Sequence, residues 1–140
     1  MLRYFDSSAL VKRYVNEQGA ERVRSLLASG IVATSRLSEA EVGSALCRRC
    51  REGALNPEDR DRALAASRQD FATLFMVELT TDVSLRAVSL MTRLPLTAAD
   101  SVQLASCLEV RDRLKLPCLF VSVDSRLLAA ARQEGLSTAP

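Results

Sequence analysis

The chain has 140 residues, of which 48% are hydrophobic, 26% charged and 4% aromatic, and its formal net charge is +2. This composition is that of an ordinary globular protein, and the length predicts one domain over residues 1–140. Histidine is absent, which excludes serine–histidine and cysteine–histidine hydrolysis. No apolar run approaches the length of a membrane span and the first residues do not form a signal peptide, so we expect a cytoplasmic protein.

The first half of the chain begins with a short strand that stops at Asp6 and turns at once into a helix. Gly30 ends the second helix, and Ser35 or Ser38 caps a long one. Asn56, followed by proline, is typical of a further helix start. The predicted elements are a strand over 2–5, helices over 9–14 and 20–29, a strand over 31–34, and two consecutive helices to about 52 and over about 57–74. We expect the last two to project from the body as a hairpin.

In the second half, strands again alternate with helices. Thr81 or Asp82 starts one helix, Thr97 caps the next, and Asp124 ends a strand and caps the last helix. The predicted elements are strands over 76–79 and 118–123, helices to 94, over 98–114 and over 125–134, and a tail over 136–140 that fits an edge strand. Short apolar strands alternating with helices indicate an α/β fold, in which a parallel sheet carries helices on both faces.

Four acids stand at positions that this topology brings together. Asp6 and Asp124 each end a parallel strand, and ligands bind at that edge of open α/β sheets. Asp100 lies in the first turn of one helix and Glu41 in the first two turns of another. Each acid also has a purely structural interpretation, as a helix cap, as the acid of a capping box with Thr97, or as a solvated helix charge. Glu39 is the alternative to Glu41.

Carboxylates that lie close together raise one another's pKa and need a compensating charge. An all-oxygen donor set suits Mg²⁺ or Mn²⁺. Such an ion can lower the pKa of a bound water and hold a phosphodiester for in-line attack. A metal-dependent phosphodiesterase therefore agrees with a chain that has no histidine.

Four stretches of the chain resemble the motifs of PIN-domain ribonucleases. Each contains one of the four acids, and together they span nearly the whole sequence. The length is most similar to that of toxins from VapBC toxin–antitoxin modules. The stretches are Tyr4-Phe5-Asp6-Ser7-Ser8-Ala9-Leu10-Val11-Lys12, Ser38-Glu39-Ala40-Glu41-Val42-Gly43-Ser44-Ala45-Leu46, Leu96-Thr97-Ala98-Ala99-Asp100-Ser101-Val102-Gln103-Leu104-Ala105 and Phe120-Val121-Ser122-Val123-Asp124-Ser125-Arg126-Leu127-Leu128-Ala129-Ala130-Ala131.

This resemblance implies a PIN-like three-layer α/β/α fold, with a short parallel sheet of four or five strands. It also implies a Mg²⁺- or Mn²⁺-dependent endoribonuclease that forms a homodimer and is inhibited by a cognate antitoxin. The third motif often carries a histidine after its acid, and Gln103 stands in that region here. By the resemblance, the metal ligands and catalytic residues are Asp6, Glu41, Asp100 and Asp124, with Ser8 and Ser122 as polar groups that support them.

Two further features leave alternatives open. Arg48, Arg49 and Arg51 follow Glu41 on one predicted helix and form either a solvated face or a contact for RNA phosphates or an acidic antitoxin segment. Cys47 and Cys50 have a zinc-like spacing, but no second pair follows, which favours free thiols. The remaining cysteines are Cys107 and Cys118.

Two rival function classes fit part of the pattern. Haloacid-dehalogenase phosphotransferases and receiver domains also open with a strand that ends in an aspartate. The former have a second aspartate where this chain has Ser8, and both have a late lysine that Lys115 does not match in position. A catalytically silent module that keeps the fold and binds a partner is the other class, against which the complete set of four acids argues.

Overall fold

The central sheet of this computed structural model, which describes residues 1–140, has five parallel strands in the order β3-β2-β1-β4-β5. The predicted parallel sheet is therefore confirmed, and the tail forms its edge strand. Strand lengths of three to five residues agree with the short apolar runs in the sequence. The strands are β1 Leu2–Phe5, β2 Ile31–Ser35, β3 Phe75–Val77, β4 Cys118–Val121 and β5 Ser137–Ala139.

Seven helices connect the strands. Three predicted caps are confirmed: the side chains of Asn56, Thr97 and Asp124 each accept a backbone N–H of the helix that follows. None of the helices combines the length and apolar character needed to cross a bilayer. The helices are α1 Ser7–Leu10, which continues as a 3₁₀ turn over Val11–Arg13, then α2 Ala20–Leu27, α3 Leu37–Arg51, α4 Pro57–Phe71, α5 Thr81–Met91, α6 Ala98–Leu114 and α7 Ser125–Gln133.

The sheet separates two apolar cores. Successive strand side chains point to opposite faces, so Tyr4 joins the core beneath α5, α6 and α7, whereas Phe5 joins the core beneath α1 to α4. Val42 of α3 and Phe71 of α4 lie in that second core. The expectation that α3 and α4 project from the body as a hairpin is therefore wrong, because α3 packs against α1 and β2 and α4 packs on α3, with apolar residues of both helices in the second core.

The order of the strands reverses between β1 and β4. From β1 the chain builds outward through β2 and β3, and then returns to add β4 and β5 on the other side. Phe5 pairs with Val121 in register, and the backbone N–H of Asp6 donates to the carbonyl of Val121 at 3.1 Å. Such a reversal opens a crevice at the carboxyl ends of the strands, where α/β proteins bind ligands.

Candidate active site

Asp6 lies at this crevice and is held by both neighbouring elements. Its side chain caps α1, because Oδ1 accepts the backbone N–H of Ala9 at 3.0 Å. The Ser8 hydroxyl donates to Oδ1 at 2.8 Å and lies 2.9 Å from Oδ2. Directly after β4, the Ser122 hydroxyl donates to Oδ2 at 2.7 Å. The two serines singled out with the acids thus contact Asp6 directly and fix its carboxylate.

The charge on Asp6 is costly despite these bonds. Only 3% of the residue is exposed. Burial raises the pKa of Asp6 from 3.8 to about 6, against the lowering effect of the bonds from Ala9, Ser122 and Ser8, and the charge of Glu41 raises the pKa further. A cation placed at this carboxylate would relieve the repulsion and favour the ionised form.

Glu41 is oriented by a buried amide. Gln103 of α6 donates through Nε2 to Oε1 of Glu41 at 2.7 Å and to the Ser38 hydroxyl at 3.0 Å. The Tyr4 hydroxyl donates to Oε1 of Gln103 at 2.7 Å. Gln103 is 2% exposed, so its amide connects β1, α3 and α6 within the core. The sequence marked this residue only as a departure from a motif, although a polar residue three positions after Asp100 was the available signal.

Glu39, the alternative to Glu41, points elsewhere. Its carboxylate accepts from Arg36 at 2.7 Å, and the side chain is 43% exposed. It lies beside Leu64 and Phe71 of α4. Glu41, and not Glu39, therefore faces Asp6.

Asp100 and Asp124 form a second pair. Oδ1 of Asp124 accepts the backbone N–H groups of Arg126 at 2.9 Å and Leu127 at 3.2 Å. The backbone N–H of Asp124 donates to the Ser122 hydroxyl at 3.0 Å. Burial raises the pKa of Asp100, the bond with Thr97 opposes this, and the charge of Asp124 adds to the increase. Both residues thus act as caps or first-turn acids and still lie close enough to repel each other.

The charge of Glu41 acts on Asp6 and that of Asp124 acts on Asp100, and Ser122 connects the two sets by bonding to both Asp6 and Asp124. No three aspartate, glutamate, cysteine or histidine side chains lie close enough together to coordinate one metal ion. None of the ion pairs of the protein involves the four acids either. Carboxylate and hydroxyl oxygens without a basic partner fit a hard divalent cation by their chemistry.

A cavity of about 400 Å³ adjoins this edge. Glu41 and Ser8 border it, and the side chains of Lys12, Arg48 and Arg49 line it as well. Arg51 is exposed and does not line the cavity. The basic stretch of α3 is thus divided between a wall of the cavity and the solvent-exposed surface.

The cysteines lie apart from these groups. All four are free thiols. The sulfurs of Cys107 and Cys118 lie 3.5 Å apart in the core, while Cys47 and Cys50 are half-buried on α3.

Comparison with known proteins identifies the family. Residues 3–136 match the PIN domain family. Ribonuclease VapC45 of Mycobacterium tuberculosis (strain CDC 1551 / Oshkosh) is 37% identical over 142 aligned positions, which cover 99% of this chain and 95% of that protein. Among solved structures, the sarcin-ricin loop cleaving toxin VapC20 of M. tuberculosis superposes with a TM-score of 0.68 at 20% identity, over 91% of this chain and 94% of that one. A toxin–antitoxin complex from Klebsiella pneumoniae superposes with a TM-score of 0.66 at 17% identity, over 91% and 90%.

These similarities decide between the rival folds. The structural matches extend over nine-tenths of the chain and agree with the parallel sheet and its two helical layers. The phosphotransferase and receiver alternatives have no support from them. The resemblance noted in the four motifs is confirmed: this chain belongs to the PIN domain family.

Proposed function

We propose that this protein is a divalent-metal-dependent endoribonuclease and the toxin of a type II toxin–antitoxin module. The observation that carries the proposal is a set of four carboxylates without basic partners, at the edge of the sheet where the strand order reverses. The chain that contains them is 37% identical, over 99% of its length, to a ribonuclease. Hydrolysis of a phosphodiester needs charge compensation and an activated water. The chain has no histidine, so a metal ion is the natural source of both.

Asp6, Glu41, Asp100 and Asp124 would hold Mg²⁺ or Mn²⁺. When bound, the ion supplies an acidified water and neutralises charge on the phosphate. The protein's own part is positioning. Ser8 and Ser122 fix both oxygens of Asp6, and Gln103 fixes Glu41.

The first test is cleavage of total cellular RNA by purified protein, with Mg²⁺ or Mn²⁺ and with chelator. Asp100→Asn keeps the side-chain shape and removes the charge, so we expect cleavage to fall about 100-fold. Asp82→Asn is the matched control, since Asp82 is an exposed acid in the first turn of α5. We expect it to cleave like the parent. Parent-level cleavage by Asp100→Asn would refute the assigned site, and absence of any metal-dependent cleavage would favour the silent binding module.

We also propose a cognate antitoxin as the partner, because the Klebsiella relative in fold is a toxin–antitoxin complex. An adjacent gene for a small acidic or DNA-binding protein would support this. Both proteins would act in the cytoplasm.

A homodimer is part of the same proposal. Helix α5 exposes Leu85 by 64%, Val88 by 54% and Met91 by 37%. Apolar side chains at this spacing on one helix are typical of a contact surface. We expect the parent to sediment as a dimer and Val88→Asp as a folded monomer, because the change would bury an unpaired charge at the interface. Sedimentation velocity at matched concentrations decides this, with Ala65→Asp at an exposed position of α4 as control. A Val88→Asp protein that remains dimeric would place the interface elsewhere.

A further inference from the structure

The cavity beside the four acids contains a second set of charges. Lys12, Arg48 and Arg49 line its wall, and Glu41 and Ser8 border the same space. The cations therefore stand next to the carboxylates without forming ion pairs with them. A chain molecule whose backbone reaches the acids would pass directly into this cavity.

Two of the three cations are already paired with an anion of the protein. Oε1 of Glu17 accepts from Nζ of Lys12 at 3.2 Å and from Nη2 of Arg49 at 3.0 Å. Arg48 has no carboxylate partner. Burial alone would raise the pKa of Glu17, but the hydrogen bonds from Arg49 and Lys12 lower it by more. The cavity thus contains a charged carboxylate that bridges two cations.

The two sides of this ion pair are held differently. The Lys12 side chain is only 14% exposed and that of Arg49 only 21%, whereas Glu17 is 36% exposed. Lys12 belongs to the 3₁₀ turn and Arg49 to α3, while Glu17 lies in the exposed turn before α2. Glu17 is therefore the most exposed partner of this ion pair, and the two cations are the more deeply packed partners.

We propose that this cavity binds a backbone phosphate of RNA next to the phosphate that is cleaved, and that this phosphate displaces the carboxylate of Glu17. Its donors are Lys12, Arg48 and Arg49. A phosphate and a carboxylate accept from the same donors, and the planar guanidinium fork suits phosphate. The proposal rests on the proposed ribonuclease function. RNA is favoured over an acidic protein segment because the cavity opens onto Glu41 and Ser8, beside which the cleaved phosphate would lie.

Glu17 then competes with the substrate phosphate for these cations, so removing its charge should strengthen RNA binding rather than weaken it. Glu17→Gln keeps the shape and loses the charge, so we expect RNA to bind about fivefold more tightly. The slope of log K against log salt should become steeper by about 0.7, the value for one more phosphate contact on a single strand. Glu58→Gln makes the same change in net charge at an exposed, unpaired position on α4, and we expect it to leave the affinity within about twofold.

The measurement is fluorescence anisotropy of a labelled single-stranded RNA of about 12 nucleotides, in chelator and at about 50 mM salt, where electrostatic contacts are strong. The chelator separates binding from metal-dependent cleavage. A double-mutant cycle gives the coupling: in the Lys12→Met/Arg49→Met background, the gain from Glu17→Gln should vanish, because the carboxylate then has no cations to release.

The outcomes separate this proposal from the proposed function. RNA binding in which Glu17→Gln equals Glu58→Gln, or a gain that persists without Lys12 and Arg49, overturns the displacement and leaves the ribonuclease intact. RNA binding by no variant overturns both the RNA substrate and this site. An eight-residue glutamate peptide that displaces RNA from Glu17→Gln more strongly than unlabelled RNA of equal charge would assign the cavity to an acidic protein segment instead.

Discussion

Asp6→Asn is expected to lower RNA cleavage by at least about 1,000-fold and to make the metal-free protein more stable. The loss of activity is expected because Asp6 belongs to a group of side chains that act together, and removing one such member removes most of the catalysis. The gain in stability is expected because Asp6 is 3% exposed and its charge is only partly compensated. The amide can still accept from Ala9 and from one serine, so the fold should be unchanged.

The pH dependence follows from the pKa of Asp6, which burial raises from 3.8 to about 6. The folded state therefore binds the proton more tightly than the unfolded state. Its contribution to stability is fully present below about pH 4 and is lost as the pH rises through about 6. The shift corresponds to at most about 3 kcal/mol. In chelator, urea unfolding should give Asp6→Asn a free energy of unfolding about 1 to 3 kcal/mol above that of the parent at pH 7.5, and a smaller difference at pH 5.

The control for this result is Asp82→Asn, which removes an exposed charge and should change neither activity nor the pH dependence. An inactive Asp6→Asn that is no more stable than the parent at pH 7.5 would show that hydrogen bonds from Ser8 and Ser122 fully compensate the buried charge. An active Asp6→Asn would refute the proposed site.

Gln103→Leu is expected to cause the largest loss of stability. Leucine has a similar size but cannot accept from Tyr4 or donate to Ser38 and Glu41. Tyr4 is fully buried and burial raises its pKa well above the usual value for tyrosine, so its hydroxyl stays a donor and would lose the Gln103 oxygen as its acceptor. Unpaired buried groups cost about 1 to 3 kcal/mol each. We expect the free energy of unfolding to fall by about 2 to 4 kcal/mol and Tm to fall by about 10 °C.

Activity should fall as well, by about 10- to 100-fold, because residues that orient metal ligands have effects of that size. Ser101→Ala is the matched control: its hydroxyl is buried on the same helix and has no partner, so its loss should be neutral or stabilising. Thermal unfolding and metal titration of both variants provide the comparison. A Gln103→Leu protein as stable and active as the parent would mean that Glu41 does not depend on this amide for its orientation.

The parts of the fold that could be predicted from the sequence are those with local causes. A strand that stops at Asp6 and the caps at Thr97 and Asp124 depend on residues within four positions, and the structure confirms them. The start of α3 has competing signals: Ser35 accepts from Leu37 at 3.1 Å, whereas Ser38 bonds to Thr34 and Gln103 in the core. Because the two serines lie only three positions apart, the sequence alone could not distinguish the serine that bonds at the start of α3 from the one that bonds in the core.

The site was less predictable because its contacts are distant in the chain. Gln103 meets Glu41 across 62 positions and Tyr4 across 99, and no local pattern encodes such pairs. For the same reason the sequence indicated a basic stretch on α3 but not the bridge from Glu17 to Arg49, which spans 32 positions. The sequence placed the four acids at one edge of the sheet but could not predict that a buried amide from α6 bonds to one of them, Glu41.

The edge strand β5 has a practical consequence for protein engineering. Its residue Ala139 accepts the backbone N–H of Ser122 at 3.1 Å, and the hydroxyl of that serine holds Asp6 and Asp124. A fusion partner or affinity tag joined after Pro140 would therefore disturb β5, which a single hydrogen bond joins to Ser122 and so to the acids. A tag inserted in the exposed turn after Gly53, between α3 and α4, would leave β5 and its bond to Ser122 untouched.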